Sequence, residues 1–485
     1  MKKIIVLCFA AAALTAGFSS CNRYLDVKPK GYTIPQFYED YQKLMNNMSL
    51  IRVSSAYPGY LTDDVQTGDP TDVSKQASYS GLADYKKALY TFQPGGVFVP
   101  GSSDPLWEPA YSHIYTYNVV INNIMNVPDG TEQEKKQLKA EALFGRAFEY
   151  LTLVNAYAKH YDPATAATDY GVPLVLTEDI NQPYKRGTVE EVYALIKNDL
   201  EAAVKDLPAK AVNIFHPTQS VGYSFLSRMY LYMGNYAAAL TNAKAALALN
   251  STLLDYKLYT TKKGVTFGRV CLATDNSVRF PDAHQNGESL WVRYGSSSSA
   301  SLNAEVYVSK DLLNVFAQDL AAGAVDQRRA LFFCDGESNF GVKPVYFPGR
   351  VLYGPYIDPN FGFGNAEVFL AAAECEARVG DKQEAMNYLN TLRNARIKNN
   401  QPLVAATNDQ ALQLVLNERR REFCFVGLNR LIDLKRLNRD PRFAKTITHQ
   451  QGNDVYTLPA NDKRYILPVP PKVLEFNGTM PLYER

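Results

Sequence analysis

Apolar positions along this chain recur mostly at helical spacing. Phe37, Tyr41, Leu44 and Met48 lie four, three and four residues apart, which puts them on one face of a helix. Thr33-Ile34-Pro35-Gln36 before them is a helix start with proline in the first turn. Ser103-Asp104-Pro105 precedes a longer stripe: Trp107, Tyr111, Ile114, Asn118, Ile121 and Met125. Thr131-Glu132-Gln133-Glu134 and Thr188-Val189-Glu190-Glu191 have the capping-box pattern, in which the first side chain and the fourth each bond the other's backbone amide. They predict helices running to about His160 and to Leu207-Pro208.

Two stretches far apart share a second pattern. Residues 223–249 read as a helix, a Gly234-Asn235-Tyr236 turn, and a helix with Ala239, Ala243 and Ala246. Residues 366–397 read as a helix with Ala372, Ala373 and Ala377, the turn Gly380-Asp381, then Ala385, Tyr388, Leu389 and Leu392. Small residues at these spacings let paired helices approach closely, which is the tetratricopeptide pattern. Two segments, 50–102 and 250–365, lack this period. Within the second, residues 288–294 alternate, with Leu290, Val292 and Tyr294 on one side and Ser289, Trp291 and Arg293 on the other. That predicts one half-buried strand, followed by a Ser-rich loop over 295–301. The fold class is therefore mainly α: interrupted tetratricopeptide-like helix-turn-helix repeats with an irregular, loop-rich subdomain and a few short strands. The expected division is 1–20 as a removed leader, 21–250 as an N-terminal helical region, and 251–485 as a C-terminal region. The last comprises an insertion at 251–365, a repeat at 366–437 and a closing segment at 438–485.

Composition and charge narrow the function. The 485 residues are 46% apolar and 21% charged with a formal net charge of +2, ordinary globular values. Lys2 and Lys3 are the leader's charges, so the remainder is neutral and gives no electrostatic case for nucleic acid. Met1-Lys2-Lys3 and the apolar run from residue 4 to 16 form an export signal. Gly17-Phe18-Ser19-Ser20-Cys21 resembles a bacterial lipobox, with Phe18 where an aliphatic residue is usual. Cleavage after Ser20 and acylation of Cys21 would tether the chain to a membrane. No later stretch is long and apolar enough to span one. Cys375 and Cys424 fall in apolar helical patterns and read as buried thiols. A Cys271–Cys334 disulfide is compatible with an oxidising compartment but unsupported by spacing.

No reactive constellation stands out. The five histidines show no zinc spacing, and there is no phosphate loop or nucleophile elbow. Asp63-Asp64 is the one tempting pair of carboxylates, and it reads better as loop structure. Glu418-Arg419-Arg420-Arg421-Glu422 reads as an internal ion network beside the apolar stripe of Leu412, Val415, Leu416 and Phe423. Arg420→Ala is then expected to harm folding more than binding. No cofactor is implied. Loop carboxylates could hold a structural calcium, but no EF-hand loop is present. Binding a sugar needs ring faces for C–H surfaces and polar side chains for hydroxyls. Trp291 with Arg293, Tyr57 and Tyr60 on one tight turn, Tyr79 and Tyr85 flanking Gly81, and Trp107 at the end of its stripe are the candidates. Trp107 is the one favoured as core. If Trp291 is exposed, Trp291→Ala should abolish glycan affinity and spare the fold.

Several motifs, in order, resemble the SusD/RagB family of Bacteroidetes outer-membrane nutrient-binding lipoproteins. They are Cys21-Asn22-Arg23-Tyr24-Leu25-Asp26; Trp107, Tyr111, Ile114 and Asn118; Glu141-Ala142, Arg146-Ala147 and Tyr150-Leu151; Tyr170-Gly171-Val172-Pro173-Leu174; residues 186–200 with Leu207-Pro208; Glu418 to Arg436 by way of Gly427 and Asp433; and Ile466-Leu467-Pro468-Val469-Pro470 with Asn477. Val426 departs from the family's usual Glu. The resemblance implies four tetratricopeptide-like units and a ligand face on the irregular subdomain. It also implies a TonB-dependent outer-membrane transporter, SusC-like, as partner, and capture of oligosaccharide without catalysis at the cell exterior. Peptide binding on the same fold, a lipid-anchored protein adaptor and a glycosidase are the alternatives. Acidic peptides bound with steep salt dependence, or shortened glycan products, would favour the first or the last of these.

Overall fold

The computed structural model describes residues 35–53, 56–68, 77–179, 184–262, 269–295, 305–339, 344–354, 357 and 359–485. The leader, Cys21, Thr33 and most of the Ser-rich loop lie outside the described residues.

Helices dominate because their stripes find one another. α1 (Trp107–Asn123) packs on α2 (Glu132–Tyr157), α2 on α3 (Val189–Asp206), α3 on α4 (Gln219–Tyr232), and α4 on α5 (Tyr236–Leu249). Both capping boxes form as read: the Glu134 amide donates to Thr131 Oγ1 at 3.2 Å and the Thr131 amide to Glu134 Oε2 at 2.8 Å. Thr188 and Glu191 repeat the exchange at 3.1 and 2.7 Å. Gly234 turns α4 into α5 at φ +75°, a left-handed conformation that costs a residue without Cβ least. Beyond the insertion, α6 (Asn365–Val379) and α7 (Lys382–Arg396) form the second hairpin. Asp381 caps α7 by accepting the Gln383 and Glu384 amides at 2.7 and 3.2 Å.

α6 packs directly against α5. The repeats are therefore interrupted in sequence but adjacent in space, with Ala239, Ala243, Ala246, Ala372 and Ala373 all buried. The stack continues through α8 (Asn408–Phe423), against α6 and α7, to α9 (Asn429–Leu437). The first helix is shorter than its stripe. It spans Tyr38–Met45, with Asp40 accepting the Gln36 and Phe37 amides, and Met48 falls, exposed, at the start of a 3-10 turn.

Four of the residues carrying the resemblance, Asn118, Arg146, Arg186 and Asp199, hold elements together. Arg146 donates to both Asp199 oxygens at 2.8 Å and to Asn118 at 2.9 Å, all buried, which locks α1, α2 and α3 together. Arg186 reaches the carbonyls of Gly171, Tyr157 and Pro481.

The 418–422 stretch is the internal network its pattern predicts. Glu418 is 0% exposed and accepts from Arg328, from Arg393 at 2.7 Å and from Arg421 at 2.9 Å. Glu422 takes Arg328 and Arg396, and Arg396 also holds Glu288 beside the 289–291 strand. Arg419 pairs with Asp433, and Arg436 with Asp433 and Glu374. Arg420 crosses to Asp64 at 2.9 Å and to Asp63 at 3.2 Å. One helix thus ties the repeats to the irregular subdomain.

This network predicts an acid limb. Burial alone would raise the Glu374 carboxyl, but Arg436 and Arg378 outweigh it and hold it at about 2. Glu418, Glu422 and Asp433 are also held low by their arginines. A carboxylate depressed on folding adds stability that is present above its unfolded pKa and lost as pH falls through the folded value. Thermal stability should therefore fall steeply from about pH 4.5 towards pH 2. Glu374→Gln should flatten that limb in melts followed by circular dichroism. An unchanged acid limb would contradict the assignment. Asp64, Asp104, Asp199 and Glu288 are pushed up by burial and act in the opposite sense nearer neutrality.

Candidate functional site

The two irregular segments, which sequence could not place against each other, meet through backbone pairing. Arg52–Val53 runs parallel to Tyr294–Gly295, and Val65–Gln66 pairs antiparallel with Tyr307–Val308. The latter pair completes a four-stranded sheet with Val345–Tyr353 and Phe333–Ser338. The order places the 333–338 strand at one edge.

Most of the ring residues singled out from sequence are core. Trp291 is 0% exposed, so it offers no face to a ligand. Phe144 and Phe148 of α2 lie edge-on to it, each with centroids 5.0 Å away, and its indole N–H donates to the Phe215 carbonyl at 2.9 Å. Both faces of the 288–294 strand are therefore covered, because α2 and Phe363 close over the side expected to be open. Gly362 permits this closeness: a Cβ there would meet the Trp291 carbonyl oxygen at 2.2 Å. Arg293 is 5% exposed, stacks 3.4 Å from the Trp291 ring, and donates to the Val292 and Phe215 carbonyls.

Tyr57 and Tyr60 sit in a buried 3-10 turn. Their hydroxyls find internal acceptors, Asp104 at 2.8 Å and Glu305 at 2.7 Å, as buried tyrosines generally must. Trp107 is buried against Tyr157, the reading favoured from its stripe. Tyr79 and Tyr85 are half-buried; Tyr85 stacks on Phe98 and Tyr79 leans on Tyr90. Of the proposed contacts, these two alone retain open surface.

Asp63 and Asp64 are buried too. Asp63 is bonded by Arg430 and Lys445, each at 2.7 Å, and these cations with Arg420 hold its carboxyl well below the usual range despite burial. A carboxylate so held is a counter-ion, not a general acid. Cys271, Cys334, Cys375 and Cys424 are all buried and none is in a disulfide among the described residues. Arg269 contacts Cys334 Sγ at 2.8 Å, so the 271–334 disulfide is absent. Among the described residues no group of three or more His, Cys, Asp or Glu is placed to hold a metal ion, and no helix is long and apolar enough to cross a membrane.

An open cleft of about 600 Å³ lies in the insertion. Phe316, Leu320, Val325 and Phe333 supply its apolar wall, from the Lys310–Ala317 helix, the loop after it and the edge strand. Arg269, Arg329, Asp335 and Glu337 supply polar groups, with the buried hydroxyl of Ser338, which has no partner among the described residues. Arg329 pairs with Asp335 and lies 5.4 Å over the Phe333 ring. A break in pairing between Asp335 and Glu337, at Gly336 with φ +68°, kinks the strand here.

Glu337 lies opposite Tyr346 in the hairpin, so both project to one face. Tyr346 is 60% exposed. An exposed ring thus shares a face of the hairpin with Glu337, one of the cleft's carboxylates. The floor is rigid, because Asp326 caps the Gln327–Phe332 helix and grips Arg328, which reaches Glu418 and Glu422. Tyr346 was not among the sequence candidates. Its signal was the alternation of exposed Tyr346 with buried Phe347 in a strand pattern.

Sequence comparison matches residues 23–231 to a family described as starch-binding, associating with the outer membrane, and residues 360–481 to the SusD family. The cleft lies between the two matched regions. No curated protein sequence matches significantly. Among solved structures, a SusD superfamily protein from Bacteroides thetaiotaomicron superposes with TM-score 0.68 at 19% identity, covering 93% of this chain and 100% of that one. A SusD-like carbohydrate-binding protein from Bacteroides vulgatus gives 0.65 at 19%, over 92% and 98%. A SusD superfamily protein from Bacteroides fragilis gives 0.66 at 18%, over 92% and 100%. At these identities the superpositions establish the fold; together with the two sequence matches they place this chain in the SusD/RagB family of outer-membrane-associated, sugar-binding proteins.

Proposed function

We propose that this protein is a lipid-anchored, non-catalytic glycan binder. It captures an oligosaccharide at the cell exterior and passes it to a SusC-like TonB-dependent transporter. The family supports the sugar and the outer membrane, and the leader and Cys21 support the anchor. The observation that carries the ligand reading is the exposed Tyr346 ring beside the mixed-charge cleft. A pyranose C–H face can rest on the ring while Arg329, Asp335 and Glu337 bond its hydroxyl edge. Arg329 and Asp335 already satisfy each other, so a neutral sugar need not bring charge to the site.

The non-catalytic reading rests on the carboxylates. Asp63 and Asp64 are enclosed by arginine and out of reach of a glycan. Screening the purified protein on a glycan array, then titrating the best ligand into Tyr346→Ala, tests the proposal. Affinity should fall about threefold to tenfold, the loss expected for one aromatic contact. Recovered glycan should be intact by mass spectrometry. Unchanged affinity, shortened products, or capture of peptides with no glycan bound would overturn it.

A further inference from the structure

A second cavity, of about 290 Å³, opens on the helical side of the molecule. It is lined by the segment after α2, the α4–α5 turn, the end of α6 and the end of α9, and it shares no residue with the cleft. Two of its side chains have unspent hydrogen-bonding capacity. His160 is 9% exposed, and its ring bonds the backbone of Tyr232, yet Nδ1 has no partner among the described residues. The Arg378 side chain is also 9% exposed. Its Nε donates to Glu374 at 2.8 Å and its guanidinium lies over the Tyr236 ring, while its two terminal nitrogens have no partner among the described residues.

The surroundings favour an anion. Arg436 and Arg439 line the same cavity. They are held from behind, Arg436 by Glu374 and Asp433, Arg439 by Asp162 and the Tyr161 carbonyl. Lys435 lies buried nearby on the Asn155 and Ala158 carbonyls. Asp440 is the one acid lining the cavity among the described residues, and Arg442 occupies it. A site with free guanidinium donors in a low-dielectric wall suits an oxyanion. A neutral imidazole beside it has room for a proton.

We propose that this cavity binds a tetrahedral oxyanion, a sulfate or phosphate group, through the Arg378 terminal nitrogens, with a proton taken up between the anion and His160 Nδ1. In the empty cavity burial and the charges of Lys435, Arg436 and Arg439 keep His160 neutral, well below its ordinary range. An anion reverses that field. Binding should therefore consume a proton and tighten as pH falls.

Sulfate is the appropriate probe, because it does not titrate near neutrality and any proton uptake belongs to the protein. Calorimetric titration of the purified protein at pH 6, in two buffers of different ionisation enthalpy, should show saturable binding with net proton uptake. Arg378→Gln should weaken binding about tenfold or more, the loss of a charge-assisted pair of bonds. His160→Gln should remove the proton uptake. Methyl sulfate distinguishes the source: equal binding means an esterified group on a larger ligand fits, and binding of sulfate alone means a free ion. Either supports the site. Should either variant fail to fold, the ¹⁵N resonance of His160 Nδ1 in the wild-type protein must move to the protonated position as sulfate is added. No saturable binding, binding without proton uptake, or binding unchanged in Arg378→Gln would overturn the proposal.

Discussion

Trp291→Ala is expected to lower stability by about 3–5 kcal/mol, the range for deleting a large buried aromatic, while leaving glycan affinity of the folded fraction nearly unchanged. The ring fills space between Phe144, Phe148 and Phe363. Its loss also unstacks the Arg293 guanidinium. Among the described residues that cation is bonded by the Val292 and Phe215 carbonyls and the Tyr117 hydroxyl but by no carboxylate, so it would lie desolvated over an empty volume. Urea unfolding followed by far-ultraviolet circular dichroism gives the measurement. A variant of full stability that no longer binds glycan would put Trp291 in the site and contradict the packing.

Glu418→Ala should be at least as severe, costing about 3–5 kcal/mol by breaking a buried ionic cluster from its centre. Three guanidinium groups, from Arg328, Arg393 and Arg421, would lose a common counter-ion at a position with 0% exposure. Arg328 and Arg421 retain Asp326, Glu422 and Asp319, whereas among the described residues Arg393 keeps only the Asp319 carbonyl. The effects of Glu418→Ala and Arg393→Ala should consequently fall well short of additive. Arg420→Ala belongs to the same class, since it takes the close partner from buried Asp64, whereas Asp63 keeps Arg430 and Lys445. Additive losses in a double-mutant cycle would mean that these charges do not act as one cluster.

The helices were legible because their information is local. A capping box or a small-residue hairpin is written within a few residues, and Thr131, Thr188, Gly234 and Asp381 all behave as their positions require. The adjacency of α5 and α6 was not local, since more than a hundred residues separate them. The site was harder for a different reason. In irregular segments an aromatic ring can equally be ligand platform or core, and only the covering elements decide. Leu290, Trp291 and Val292 are three apolar residues in a row, the mark of a strand covered on both faces, which outweighs the alternation around them. Tyr57 and Tyr60 went inward because Asp104 and Glu305 were there to accept their hydroxyls. Tyr346 stayed outward because Phe347, its neighbour on the strand, took the buried side.

Hydrogen exchange of the backbone amides, compared with and without a saturating glycan, tests most directly whether cargo is held by the insertion. The account predicts added protection concentrated in the Phe333–Ser338 and Val345–Tyr353 hairpin and the Gln327–Phe332 helix, with the α4–α7 stack unaltered. Protection confined to the helical stack, or to the 77–92 segment bearing Tyr79 and Tyr85, would contradict it.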